Sequence, residues 1–200
     1  MAKVIVRGSI YSDDMTSLTG WAGADVGTGV SDLITFQGKT CQRHSAGASG
    51  YTVRTKDIGS FGAQNCYSLR TYVHNVGAGV YNRFGITFSN GSYDASFGWQ
   101  SNGLFIRNAG VNETQIGSSL VVVDTWQDWV FDINWTGKTA VVYLNGQLNA
   151  TGVDFSARGS ATANGTVEIV ALQDGNIVGY IDYLNIGTSF NFSVPAIIIY

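Results

Sequence analysis

The two glutamates are the first residues to consider for chemistry, because paired carboxyl groups can cleave glycosidic bonds. Glu113 and Glu168 are the only glutamates in this 200-residue sequence. A retaining glycosidase holds its two carboxyl groups about 5–5.5 Å apart. These two are far apart in the sequence and neither has a companion carboxylate at strand spacing. The sequence therefore predicts no glycosidase.

Nucleophilic catalysis has no better candidate. There is no G-x-S-x-G elbow, and His44 and His74 have no cysteine or acidic motif beside them. Cys41 and Cys66 could form a disulfide, but two reduced thiols buried as small apolar residues are the favoured interpretation. We therefore predict that the chain is not an enzyme.

Calcium is a possible ligand because a family that this chain resembles, described below, often binds it through aspartate oxygens, which suit this hard cation. Asp13, Asp14, Asp94 and Asp174 lie in or near predicted loops. No D-x-D-x-D spacing groups them, so solvated turn carboxylates are the alternative. The metal ligands stay unassigned, and no other cofactor is indicated.

Sugar binding requires aromatic faces for stacking beside amides that hold hydroxyl groups. Tyr93, Trp99 and Asn102 are candidates for such a ligand site around one predicted hairpin. Tyr93 and Trp99 share strand parity with Phe97, however, which favours core packing for both rings. Both interpretations stay open for these residues.

Composition limits the classes of partner. The chain carries a net charge of −3, 12% charged residues and no basic run, which argues against nucleic acid. It has neither a run of eighteen apolar residues nor the apolar core of a secretory signal, so we expect no membrane span and no such signal. A polar, weakly charged surface fits contacts with a glycan or another protein.

The turns and alternating segments predict an all-β protein. Twenty-six glycines accompany a single proline, and several Asn-Gly or Asp-Gly pairs separate short alternating segments, as in hairpins. The clearest predicted strands are 67–73, 84–88, 93–99, 104–106, 129–135, 140–144, 167–171 and 178–186, with another near Val4 and Val6. Short strands without helical periodicity predict a two-sheet antiparallel sandwich.

Three segments together resemble the concanavalin A-like lectin/glucanase and laminin-G-like superfamily. Asp13–Trp21 resembles its opening strand, Trp126–Gly146 its hairpin ending in "YLNG", and Gly179–Ile186 its closing strand. The resemblance implies a jelly roll of two curved antiparallel sheets. Its members include lectins, hydrolases, adhesion modules and virion proteins, so the resemblance leaves the function open.

The sequence predicts one domain over residues 1–187 and an apolar tail over 188–200. Three consecutive isoleucines in water would each lose roughly 1.5–3 kcal/mol of burial free energy, so the tail should pack on the domain or a neighbouring subunit. The predicted assembly residues are Pro195, Ile197, Ile198, Ile199 and Tyr200.

Two functions follow as expectations. In the first, the chain is a non-enzymatic component of a virion surface, such as a bacteriophage capsid or tail decoration protein assembled in the host cytoplasm. Its partners are then other virion subunits or further copies of itself, and glycans where the surface binds the host. In the second, it is an extracellular carbohydrate-binding module or lectin of a secreted system.

Overall fold

The regular elements are all β-strands in the computed structural model, which describes residues 3–59, 62–76, 84–101, 103–107, 113–156, 159, 165–172 and 176–193. The strands are β1 Lys3–Asp13, β2 Ala22–Val26, β3 Val30–Phe36, β4 Lys39–Ala46, β5 Tyr51–Asp57, β6 Gln64–His74, β7 Phe84–Ser89, β8 Asp94–Gln100, β9 Gly103–Arg107, β10 Glu113–Ser118, β11 Gln127–Asn134, β12 Thr139–Leu144, β13 Gln147–Asp154, β14 Thr166–Ala171 and β15 Ile177–Ser193. The described residues include no helix long and apolar enough to cross a membrane.

Two antiparallel sheets form a sandwich, as predicted. Sheet A has the strand order β13-β12-β11-β6-β15-β4-β3, with β1 also pairing with β15. Sheet B has the order β10-β9-β8-β7-β14-β5-β2. The chain crosses between sheets several times, so each sheet is built from segments distant in sequence.

The last strand is longer than predicted. β15 pairs with β6 along one edge, while β4 and then β1 pair with its other edge. Residues 188–193, assigned to the tail on sequence grounds, instead continue β15, because their backbone groups pair with those of β1. The predicted assembly residues Pro195, Ile197, Ile198, Ile199 and Tyr200 lie outside the described residues.

Aromatic side chains from both sheets interlock in the core. Phe97 of sheet B stacks on Phe131 of sheet A with ring centroids 4.1 Å apart. Trp99 meets Trp129 edge to face at 5.7 Å, and both rings are completely buried. Trp129 Nε1 donates a hydrogen bond to Thr71 Oγ1 at 3.1 Å. The alternation that predicted these strands therefore also identified their core face.

One predicted strand is a loop. The segment Asp13–Trp21 begins at the last residue of β1 and ends just before β2. Asp13 organises this loop, because its carboxylate accepts hydrogen bonds from Tyr11 Oη at 2.6 Å, Trp21 Nε1 at 3.1 Å and the Met15 amide at 2.8 Å. Satisfying these donors requires a turn rather than an extended strand.

Candidate functional site

Four aromatic rings gather on the outer surface of sheet A, on the side away from the core. We call this cluster of Phe36, Tyr72, Trp126 and Tyr180 the aromatic face. Phe36 stacks on Tyr180 with centroids 4.3 Å apart, and Tyr72 meets Trp126 edge to face at 5.6 Å. Phe36, Trp126 and Tyr180 are half-buried, so parts of their rings reach solvent.

Strand register brings two of the rings together. Tyr72 of β6 and Tyr180 of β15 are direct cross-strand partners, with ring centroids 5.7 Å apart. Their neighbours on β6, Thr71 and Val73, are buried on the core side. Because successive residues of a strand point to opposite faces, Tyr72 points outward.

Phe36 is delivered by a tight hairpin. Gln37 and Gly38 both have positive φ, 50° and 76°, and Phe36 pairs with Lys39 across the turn. This is the two-residue geometry of a type I′ turn, which suits the twist of antiparallel strands. Phe36 therefore ends β3 at the tip of a defined hairpin.

Trp126 is held by the loop that precedes β11. The Asp124 amide donates to the Val73 carbonyl at 2.9 Å, which fastens the loop to β6. Gln127 is buried, accepts a hydrogen bond from the Val122 amide and donates to the Leu120 carbonyl. Trp126 Nε1 itself is buried and has no hydrogen-bond partner among the described residues.

Ion pairs border the aromatic face along β3 and β4. Arg43 is the register partner of Tyr180, and its Nε and Nη2 donate to the two carboxylate oxygens of Asp32, at 2.8 and 2.5 Å. The Asp32 hydrogen bonds raise the pKa of Arg43 above its ordinary value. The ion pair of Arg43 and Asp32 therefore lies beside the aromatic face.

A second border group lies where β15 bulges. The register with β6 shifts between Ile181 and Tyr183, and Asp182 in the bulge pairs with Lys39 at 2.5 Å and Arg70 at 3.6 Å. Arg70 also contacts Asp128, which accepts a hydrogen bond from Tyr183 Oη. These ion pairs form a connected series beside the aromatic face.

His74 and Asp124 close the remaining side. His74 Nδ1 lies 2.5 Å from Asp124 Oδ1, and Tyr72 Oη donates to the same oxygen at 3.2 Å. The hydrogen bond from His74 is the main reason that the pKa of Asp124 is lowered. Burial, followed by the nearby Asp124 charge, raises the pKa of Tyr72.

Neither cysteine forms a disulfide. Cys41 lies on β4, beneath the aromatic face, and Cys66 lies on β6; both thiols are free and buried. Burial raises the pKa of Cys41 to about 11 and that of Cys66 further still. The favoured interpretation, two reduced thiols in a core, is right that both are free and buried, but neither belongs to the core cluster between the sheets.

The structure describes two of the three sequence-predicted sugar ligands, Tyr93 and Trp99. Trp99 is completely buried in the core, so its ring is closed to a ligand. Tyr93 is half-buried against the core, and Lys138 Nζ lies 4.5 Å from its ring centroid. Asn102 lies outside the described residues. Trp99 therefore packs in the core, as the alternative interpretation predicted.

The aspartates proposed for calcium serve mainly in their own turns. Asp13 accepts the three hydrogen bonds given above, and Asp14 accepts two from Thr16. Asp94 is buried, and Asp174 lies outside the described residues. Within the described ranges, no three His, Cys, Asp or Glu side chains are grouped to hold a metal ion.

The two glutamates lie far apart. Glu113 is on β10 and Glu168 on β14, four strands away in sheet B. With strands about 4.8 Å apart, this places them roughly 19 Å from one another. A retaining glycosidase pair needs about 5–5.5 Å, so these residues do not form one.

Comparison with known proteins identifies similar folds only. No family model and no curated protein matches the sequence. A carbohydrate esterase from the Shiga toxin-encoding bacteriophage phi24B aligns with a TM-score of 0.64 and 13% identity, over 92% of this chain and 98% of that one. The binding domain of botulinum neurotoxin serotype D/C VPI 5993 aligns with a TM-score of 0.60 and 17% identity, over 91% of this chain and 49% of that one. A sialidase aligns with a TM-score of 0.58 and 8% identity, over 96% of this chain but 19% of that one.

Proposed function

We propose that this chain is a non-enzymatic glycan-binding domain and that its aromatic face contacts the sugar. The observation that carries the proposal is the half-exposed ring cluster of Phe36, Trp126 and Tyr180, bordered by charged groups that can bond hydroxyls. Apolar faces of sugar rings pack on aromatic rings, while a few placed polar groups fix the orientation.

Trp126 supplies a second reason. Its indole is only half-buried, and the hydrogen bonds of Asp124 and Gln127 fix the loop that carries it, so a pre-positioned aromatic surface is available for a sugar ring.

The fold and its neighbours are compatible with this role. The solved structures of similar fold include botulinum neurotoxin type C, from a study in which cell entry depends on two ganglioside molecules, and the binding domain of botulinum neurotoxin DC in complex with SialylT. We also propose that the chain belongs to the concanavalin A-like superfamily, as the sequence resemblance implies.

We place the domain on a virion surface, as a bacteriophage capsid or tail decoration protein that meets host glycans. The support is the phage esterase of similar fold, which aligns over almost the full length of both chains. Its partners there are other virion subunits or copies of itself. The alternative setting is a lectin or carbohydrate-binding module of a secreted system.

The esterase neighbour raises a hydrolytic alternative, which the side chains do not favour. His74 and Asp124 form a histidine–carboxylate pair, but an acyl-transfer site also needs an adjacent nucleophile. Ser45 and His74 both pair with Val178, from opposite sides, so two strand spacings of about 4.8 Å separate them. The Ser45 hydroxyl instead donates to the Val30 carbonyl.

The test is binding to a printed glycan array by the full chain and two variants. Trp126→Ala removes the exposed indole, and Tyr143→Ala is the matched control, since Tyr143 lies on the same sheet and packs on Phe190. We expect the wild type and Tyr143→Ala to bind a shared set of glycans that Trp126→Ala loses. Binding to no glycan, or undiminished binding by Trp126→Ala, would overturn the proposal. Release of acetate from acetylated oligosaccharides would overturn its non-enzymatic part.

A further inference from the structure

The cations and the carboxylates around the aromatic face differ in how many of their hydrogen-bonding positions are already occupied. Among the described residues, the three permanent cations at its border all pair with carboxylates: Arg43 with Asp32, Lys39 with Asp182, and Arg70 with Asp182 and Asp128. The Arg43 pair occupies the Nε–Nη2 edge of the guanidinium, an edge that could otherwise receive a ligand carboxylate in a bidentate pair.

The carboxylates, in contrast, keep free acceptors. Asp124 and Asp128 use Oδ1 in their hydrogen bonds and ion pairs, and Asp182 uses Oδ2. The second oxygen of each accepts no hydrogen bond from any described residue. An ionised carboxylate has about four lone-pair positions and no proton to donate, so these oxygens accept from hydroxyl donors.

We infer that the aromatic face selects neutral sugars and rejects those that carry sialic acid, uronic acid or sulfate. This inference rests on the proposed function. Hydroxyl groups can donate to the three free carboxylate oxygens and leave every ion pair intact. An anionic group that takes the Nε–Nη2 edge of Arg43 would have to displace Asp32, and one that binds any of these cations elsewhere would lie beside the carboxylate already paired there; like charges placed together cost several kcal/mol.

The numbers of negative and positive groups that border the aromatic face also favour a neutral ligand. Among the residues that the structure describes, the four carboxylates Asp32, Asp124, Asp128 and Asp182 outnumber the three permanent cations there. The ligand charge preferred by this surface is therefore zero or positive. This differs from the sialylated ligand named for one toxin domain of similar fold.

The experiment compares neutral oligosaccharides with their charged counterparts. An array carries each neutral glycan beside its sialylated, sulfated or uronic-acid form, and affinities of the hits are measured by calorimetry. We expect the neutral member of each bound pair to bind at least ten-fold more tightly, with both signals removed by Trp126→Ala.

A variant tests the cause. Asp32→Asn releases the Arg43 guanidinium and should narrow the neutral-to-acidic ratio at least three-fold. Asp154→Asn is the matched control, because it removes the same charge on β13, at the far edge of sheet A, and should leave the ratio unchanged.

The outcomes separate the two proposals. Tighter Trp126-dependent binding of the acidic members overturns the charge inference and keeps the glycan-binding function. An unchanged ratio in Asp32→Asn overturns the part assigned to the Arg43 pair. Binding to no glycan overturns the function, and the selectivity falls with it.

Discussion

Phe36 stacks on Tyr180 across the strand that lies between them, with ring centroids 4.3 Å apart and planes 9° from parallel. The intervening strand is β4, whose outward residues include Cys41 and Arg43. Cys41 has no exposed surface even though it is on the side away from the core. The stacked pair thus acts as a cover over a thiol as well as part of the aromatic face.

Removing the ring of Phe36 should therefore open Cys41 to reagents. In a Cys66→Ala background, we expect Phe36→Ala to react with Ellman's reagent at least ten-fold faster than the chain with Phe36 intact. Burial currently raises the pKa of Cys41 to about 11, so little thiolate is present at pH 8. Leu148→Ala, which truncates an exposed residue of β13, is the control. Equal rates in Phe36→Ala and the control would show that another group covers the thiol.

Replacing Trp99 or Trp126 by phenylalanine should have opposite effects on stability and on glycan affinity. Trp99→Phe leaves a gap in the buried core, which we expect to lower the free energy of unfolding by about 1–3 kcal/mol. Glycan affinity should not change. Trp126→Phe should unfold at nearly the wild-type urea concentration but bind glycans several-fold more weakly, because the smaller ring offers less exposed aromatic surface to the sugar. A loss of glycan affinity in Trp99→Phe, with an unchanged free energy of unfolding, would show that Trp99 belongs to the ligand site.

Much of the sheet framework follows from alternation in the sequence. The strands with one strictly apolar face, such as β8 and β11, were predicted within a few residues, as was the Asn145–Gly146 turn, whose φ values of 51° and 84° fit type I′. The β3–β4 hairpin was missed because Gln37 takes the position where asparagine is the usual signal.

The remaining early strands were missed because polar side chains point inward there. Gln42, His44 and Thr52 are completely buried on β4 and β5, and Ser31 on β3 is nearly so. An inward polar residue removes the apolar alternation by which a strand is recognised. Most of their hydrogen-bond partners lie on other segments: His44 pairs with Ser31, and Thr52 accepts from the Ala171 amide, so no local pattern reveals them.

The aromatic face was not predicted, because long-range register assembles it. Tyr72 and Tyr180 are adjacent only through the pairing of β6 with β15. The sequence did contain one usable signal: Tyr72 has the parity opposite to its core neighbours Leu69, Thr71 and Val73. An aromatic residue on the solvent parity of a strand is a reason to suspect a surface role.

The loop after β1 should depend on Asp13 much more than on its neighbour. Asp13→Ala leaves Tyr11 Oη and Trp21 Nε1 without their acceptor, and Trp21 is almost completely buried. Hydrogen bonds to a charged group contribute about 1.5–3 kcal/mol each, so we expect a loss of about 2–4 kcal/mol in urea unfolding. Asp14→Ala, which removes only exposed contacts to Thr16, is the control and should change stability much less. Equal effects of the two variants would contradict the role of Asp13.

His44 should make stability fall as the solution becomes acidic. The ring is completely buried, with Nδ1 3.2 Å from Ser31 Oγ and Nε2 3.3 Å from Gln42 Oε1. The amide oxygen accepts, so Nε2 carries the proton and Nδ1 accepts from the serine. Burial, and next the charge of Arg54, lower the pKa of His44 to about 3.

In the unfolded chain, the His44 pKa returns to about 6.5, so between pH 6.5 and 3 the unfolded state binds a proton that the folded state refuses. The stabilising contribution is fully present above pH 6.5 and declines by about 1.4 kcal/mol for each pH unit below it. We therefore expect the free energy of unfolding of the wild type to fall by about 2–3 kcal/mol more than that of His44→Gln between pH 6.5 and 4.5. Urea titrations at a series of pH values measure this difference, in which contributions from the carboxylates cancel. Parallel pH profiles for the two proteins would mean that His44 is protonated in the folded state, which its buried hydrogen bonds to Ser31 and Gln42 oppose.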